Sequence, residues 1–245
     1  MSNDEYKDSI LPEEKIESID YECKYCKSML KDKEILGSED LVIWYLRLNG
    51  FFTIKNFVVH PEKGPNQKTD IDALAIRLPH RAEGLTKEDE MIDDSTILSI
   101  SDDVLRPLIL IAEVKKDICK LNDTWKNREN KNMERFLKAI GCTPTEKIEK
   151  VADALYSVGI YREDYTISLI CFGKMQDIEL KNKKPEITQI VWSDVLGFIY
   201  DRFKNYSKRK SSHGQWDDTG HKLWDLCRIF NSRDCFIDNA TKLIR

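Results

Sequence analysis

The sequence predicts an α/β fold with a mixed central β-sheet flanked by helices. Three observations carry this. Leu108 to Lys115, Leu-Ile-Leu-Ile-Ala-Glu-Val-Lys, opens as a continuous apolar run rich in β-branched residues, the pattern of a strand buried on both faces. A second such run, Thr-Ile-Ser-Leu-Ile-Cys-Phe, lies within Tyr165 to Gly173. Around them, apolar residues recur at helical spacing, giving the order helix, three strands, helices, two strands, helices.

The 245 residues are enough to bury a sizeable core, and 33% charged residues suit a well-solvated surface. The net charge of −4 excludes a polycation, so a nucleic-acid partner would have to be met by a local basic patch. No apolar run reaches the roughly 20 residues that a membrane-spanning helix needs. The acidic start, Met-Ser-Asn-Asp-Glu-Tyr-Lys-Asp, lacks the apolar segment of a secretion signal. Seven scattered cysteines without a disulfide-framework spacing read as reduced thiols. The expectation is a cytoplasmic protein without membrane contact.

Residues 1–36 read as a helical or irregular N-terminal extension. Its Cys23-x-x-Cys26 is half of a zinc site, a redox pair or neither, and Cys119 or Cys142 are the cysteines that could complete a site in space. Residues 37–200 read as the core. In its first helix Ser38 is the expected N-cap, Glu39 and Asp40 suit the helix dipole, and Leu41, Trp44, Tyr45 and Leu48 fall on one face before Asn49-Gly50 stops it. Phe51 to His60 reads as a strand, Pro61 to Lys68 as a turn, and Thr69 to Ile76 as a second strand on which Asp70 and Asp72 share a face.

Residues 79–104 read as an insertion. Eight acids against one lysine between Glu83 and Asp103 predict a solvated loop or short surface helix. The central strand, Leu105 to Lys115, follows. Met133, Phe136, Leu137 and Ile140 then form a helical face that ends at Gly141. A helix opening at Thr143-Pro144 turns Ile148, Val151, Ala152 and Leu155 inward. After the strand at Tyr165 to Gly173 comes a fifth, Glu186 to Trp192, and a helix capped by Ser193. Residues 201–245 add a basic stretch, Arg202 to Lys210, and a helix carrying Leu223, Leu226, Cys227 and Phe230 that packs on the core.

The chemistry concentrates where charge interrupts burial. Glu113 and Lys115 close a buried run on one face of the strand, and proteins bury charge mostly where it is paired or ligates a metal. Adjacent strands lie about 4.8 Å apart, so Asp72 on a neighbouring strand can converge with Glu113 on one cation. Hard oxygen ligands suit Mg²⁺ or Mn²⁺, which hold substrate phosphates, and Lys115 can orient a water or neutralise phosphate charge. Glu39 can complete the outer shell. The lone histidines His60, His80, His213 and His221 show no zinc or triad spacing, and neither a Gly-rich phosphate loop nor a GxSxG elbow is present.

Asp70-Ile71-Asp72 followed by Glu113-Val114-Lys115 resembles the active-site signature of the PD-(D/E)XK nuclease superfamily, the restriction-endonuclease-like and Holliday-resolvase-like enzymes. The resemblance covers roughly residues 37–175. It implies a restriction-endonuclease-like core, with Asp72 as the motif aspartate, Glu113 at the (D/E) position and Lys115 as the lysine. It further implies the Val114 carbonyl as an additional metal ligand and Glu39 as the glutamate of the first helix. The chain departs from the pattern in having no Pro before Asp72 and a long gap from Asp72 to Glu113.

The function so implied is Mg²⁺- or Mn²⁺-dependent hydrolysis of DNA phosphodiesters by an endonuclease, in restriction, anti-phage defence or DNA repair. A homodimer, or a partner subunit supplying recognition or an NTPase motor, would accompany it. An RNA-directed nuclease and a non-catalytic nucleic-acid-binding or assembly subunit are the alternatives. Lys115 to Lys138 holds eight basic residues with Trp125 among them, which nominates Lys116, Lys120, Trp125, Lys126 and Arg128 as nucleic-acid contacts. Arg202 to Lys210 is a second candidate patch.

Overall fold

The computed structural model describes residues 36–62, 68–210 and 213–245. The predicted extension, with Cys23 and Cys26, falls outside them apart from Leu36, which forms a parallel bridge with Ile244. Helix α1 (Ser38–Leu48) buries Leu41, Trp44, Tyr45 and Leu48, the expected face. Its N-cap is Gly37, not Ser38, and no side chain caps it; Glu39 and Asp40 in the first turn meet the dipole instead. Gly50, at φ +78°, adopts the left-handed conformation that glycine takes without strain and turns the chain into the sheet.

Strands β1 (Phe52–Val59) and β2 (Thr69–Arg77) pair antiparallel. Helix α2 (Ser95–Leu98) lies in the insertion, and β3 (Leu108–Val114) pairs antiparallel with β2. All seven β3 residues are buried, as its apolar run requires. Helices α3 (Asn132–Ile140) and α4 (Ile148–Ser157) follow; α3 ends at Gly141, and Pro144 precedes a single 3₁₀ turn, so that α4 starts later than expected. The sheet is completed by β4 (Ile160–Arg162), β5 (Thr166–Gly173) and, after helix α5 (Ile178–Lys183), β6 (Thr188–Val191). Helices α6 (Trp192–Asn205), α7 (Asp218–Ile229) and α8 (Arg233–Thr241) close the chain. Ser193 lies inside α6, whose N-cap is Val191.

The protein is α/β with a mixed six-stranded sheet in the order β1-β2-β3-β5-β4, with β6 continuing along β5 beyond β4. The pair β3–β5 is parallel, as is β5–β6. Helices cover both faces. Ala73, Leu110, Ala112, Val114 and Phe172 pack with α1, α6, α7 and α8. Leu74, Ile109, Ile111, Leu169 and Cys171 pack with α3 and α4, chiefly against Met133, Phe136, Val151 and Leu155. Each Val, Leu, Ile, Phe or Met among them, fully buried, contributes about 1.5–3 kcal/mol. No helix among the described residues is long and apolar enough to cross a membrane.

The insertion and the basic stretch depart from expectation together. Residues 79–104 carry the short helix α2 and are mostly exposed, as expected, but Met91, Ile97 and Ile100 are buried and anchor the segment to the fold. The Asp93 carboxylate, 6% exposed, takes Arg77 at 3.0 Å, Arg81 at 2.5 Å and Arg202 at 3.0 Å. Arg202 is fully buried and also reaches Glu83, at 3.3 Å; Lys210 pairs with Glu83 and Arg209 with Asp89. Opposite charge runs far apart in sequence neutralise each other, because an unpaired charge at this burial is too costly to keep. Arg202, Arg209 and Lys210 are thereby spent on the protein itself, and the second candidate patch loses three of its five cations.

Candidate functional site

The β2–β3 ladder ends at Ala73 opposite Ala112. The same register would set Asp72 opposite Glu113, but there the main chains separate and a side chain takes over: Asp72 Oδ2 accepts the Val114 N–H at 2.7 Å. On the other side of β2 the pairing with β1 steps past Asn56, from Lys55↔Ala73 to Phe57↔Ile71, and Asn56 has φ +54°. Ala73 packs with the α1 layer, whereas Ile71 packs with the α3–α4 layer. The strict alternation expected from Asp70 through Asp72 therefore breaks at Asp72. An irregular step in an edge pairing is a common way to re-aim a side chain.

Glu113 lies between Ala112 and Val114, which face α1, and so enters the opposite layer. It is 0% exposed. The Trp125 indole N–H donates to its Oε1 at 2.7 Å, and the Lys115 ammonium donates to its Oε2 at 3.1 Å. The same ammonium lies 3.5 Å from Asp72 Oδ2. One cation thus joins the two carboxylates, which a shared site requires. Burial pushes the Glu113 carboxyl up to about 7, against the pull of Lys115, and the neighbouring Asp72 adds to the rise. Burial alone would lower Lys115, but Glu113 and then Asp72 outweigh it and hold the amine above its ordinary value. Lys115 is an ammonium at neutral pH.

Of the predicted residues, the structure brings together Asp72, Glu113, Val114 and Lys115. Glu39 is not among them. It sits on α1, on the layer that Glu113 points away from, and pairs with Lys55 at 3.4 Å, beside Asp40 at 2.7 Å from the same ammonium. Among the described residues no hydrogen bond or ion pair links Glu39 to Asp72, Glu113 or Lys115. Trp125 is fully buried and cannot stack on a base; its polar neighbours in sequence suggested exposure, whereas a 3₁₀ turn at Asp123–Trp125 tucks it beneath Glu113. Arg128 is exposed but bonds Asp153 at 2.5 Å and Ser157 at 2.6 Å and lies over the Tyr156 ring. Lys126 holds an exposed pair with Asp123, while Lys116 and Lys120 stand at the surface.

The donor set fits a hard cation. Two carboxylates and a backbone carbonyl supply oxygen only, and Mg²⁺ commonly takes one or two carboxylates from a protein and keeps water or phosphate elsewhere. Among the described residues no three His, Cys, Asp or Glu side chains gather into a larger cage. Cys119 is buried, which pushes its thiol up to about 12, and such a group is inert as a nucleophile near neutrality.

No family model, curated protein or solved structure matches the chain.

Proposed function

We propose that this chain is a metal-dependent nuclease with a restriction-endonuclease-like core that hydrolyses DNA phosphodiester bonds. The observation that supports it best is one ammonium, Lys115 Nζ, at 3.1 Å from Glu113 and 3.5 Å from Asp72, where the β2–β3 ladder opens. Asp72, Glu113 and the Val114 carbonyl would hold Mg²⁺ or Mn²⁺, which supplies Lewis-acid polarisation and charge neutralisation at a phosphate. Lys115 keeps its proton beside two carboxylates, so its part is to donate a hydrogen bond to phosphate oxygens as they gain charge. Asp72 fixes the end of β3 through Val114 N–H, and Trp125 fixes the rotamer of Glu113. Glu39 has no part in this arrangement. The setting, in restriction, anti-phage defence or DNA repair, rests on the sequence resemblance alone.

A second reading, a nucleic-acid-binding or assembly subunit that does not cleave, draws on the burial of Glu113 and its two hydrogen bonds, which also suit a structural ion pair. Supercoiled plasmid with Mg²⁺ separates the two. Nicked or linear product from wild type, absent with Asp72→Ala and Lys115→Ala, supports the nuclease. Equal product from all three overturns it, and plasmid binding without cleavage by any selects the second reading.

A further inference from the structure

A second constellation of charge opens beside the Trp125 turn. Because β3 and β5 are parallel, the segments leaving them emerge at the same end of the sheet as Glu113 and Lys115, where open α/β sheets bind ligands. These segments are stitched together: Cys119 N–H donates to the Met175 carbonyl at 2.9 Å, and Lys174 and Met175 N–H donate to the Asp117 carbonyl at 2.7 and 2.9 Å. Gly173 permits this, since a Cβ there would stand 2.7 Å from the Cys119 nitrogen. Between the two segments lies a cavity of about 210 Å³ whose border carries Lys120, Lys126, Lys183 and Lys184, with Leu121 and Leu180 as its apolar part.

The acids at this border are already committed. Asp177 caps α5 by accepting the Glu179 and Leu180 N–H groups at 2.9 and 3.1 Å, and Glu179 pairs with Lys183 on the exposed helix face. Among the described residues no hydrogen bond or ion pair engages Lys120. Lys184 donates to the Tyr156 carbonyl at 2.6 Å, and burial, then the like charges of Lys126 and Arg128, lower its pKa. Lys126 and Lys183 hold only exposed pairs, with Asp123 and Glu179, of the kind that contributes little and is readily exchanged for a bound anion, while Lys120 and Lys184 have no ion-pair partner among the described residues.

We propose that Lys120, Lys126, Lys183 and Lys184 form a groove for backbone phosphates of the polynucleotide strand that flanks the Asp72–Glu113–Lys115 site. The identity of the ligand rests on the nuclease reading; the groove itself rests on the charge and shape just described. Trp125 joins the two, with its indole on Glu113 and Lys126 as the next residue at the groove border. Four cations spread along an open border suit a chain of phosphates better than a single one.

The probe is a fluorescein-labelled 30-base-pair DNA duplex, followed by anisotropy over a salt series without divalent cation. Lys120→Glu with Lys183→Glu reverses two exposed charges and is checked for folding by thermal melting. At least tenfold weaker binding is expected, and a salt slope shallower by about 2, the change for two lost phosphate contacts. Lys204→Glu with Lys208→Glu makes the same charge change on and after α6 and should bind as wild type. Unchanged affinity and slope in the groove variant overturn the inference, as does an equal loss in the control pair. So does complete displacement of the duplex by 10 mM inorganic phosphate at matched ionic strength, which would mark a site for free phosphate. If wild type cleaves plasmid while the groove variant binds normally, the groove fails and the nuclease stands. If wild type never cleaves but the groove variant alone loses binding, the nuclease reading fails and the groove stands.

Discussion

Trp125 donates its indole N–H to Glu113 Oε1 at 2.7 Å, with both side chains fully buried and twelve residues apart in sequence. The bond ties the loop after β3 to the end of the strand itself. It also gives a buried carboxylate a partner that cannot follow it by titrating.

Trp125→Phe keeps most of the packing and deletes the donor. One oxygen of Glu113 is then buried without that partner, which costs about 1–3 kcal/mol. Urea denaturation should show a lower midpoint with an unchanged slope. A midpoint equal to wild type would mean that the bond is idle.

Divalent cation should stabilise the protein through Asp72 and Glu113. A cation at 100 times its dissociation constant adds about 2.7 kcal/mol, which is several degrees in Tm for a chain of this length. Asp72→Asn retains an oxygen for Val114 N–H and should fold, yet it should lose most of the Mg²⁺-induced rise, and chelator should leave wild type and variant alike. Differential scanning fluorimetry with and without Mg²⁺ reads this directly. A full rise in Asp72→Asn would remove Asp72 from the cation site.

Arg202→Met tests the network under the acidic insertion. It strips a fully buried guanidinium from Asp93 and Glu83, although Arg77 and Arg81 still hold Asp93. A loss of about 3 kcal/mol is expected, the scale for breaking a buried pair on one side. Pairing the change with Asp93→Asn should recover part of the loss, and simple additivity of the two would mean that they do not act together.

Glu163 supplies a pH signature away from the site. The Lys150 ammonium, followed by the Tyr161 hydroxyl, hydrogen-bonds its carboxylate and lowers its pKa to about 2. A folded pKa below the unfolded value of about 4.5 stabilises the native state above that pH, and the contribution drains away as pH falls from about 4.5 to about 2. Glu163→Gln should flatten the acid limb of a Tm-versus-pH curve and leave neutral pH less stable than wild type. Parallel curves for the two proteins would contradict the assignment.

The sequence exposed most of the sheet because burial there is written in long apolar runs. Leu108–Val114 and Thr166–Gly173 could hardly be anything else, and α1, α3 and α4 show their faces at helical spacing. What escaped lacks such a signature. Strand β4 has three residues, Ile-Tyr-Arg, too few to show a period, and α8 buries little beyond Phe236 and Ala240. Charge was legible only as sign. The acids of residues 83–93 and the cations of 202–210 stood out separately, yet nothing local says that Asp93 meets Arg202 across 109 residues. The closeness of Asp72, Glu113 and Lys115 was legible because the β2–β3 register, carried one step on, sets Asp72 opposite Glu113 and alternation along β3 sets Lys115 beside Glu113, although the break in alternation at Asp72 was not. Glu39 was misplaced because residue spacing does not tell which face of the sheet a helix will cover. Trp125 was misjudged because one large aromatic among polar neighbours looks the same whether it faces water or a buried carboxylate.

The clasp between the insertion and α6 makes two distant stretches of chain a single unit of exchange. Recombination that replaced residues 79–104 alone would strand Arg202 inside the fold, and loss of 201–210 would leave an acidic tongue with nothing to hold it. A shuffled or grafted version of this protein should therefore tolerate new sequence in the insertion only when the end of α6 travels with it.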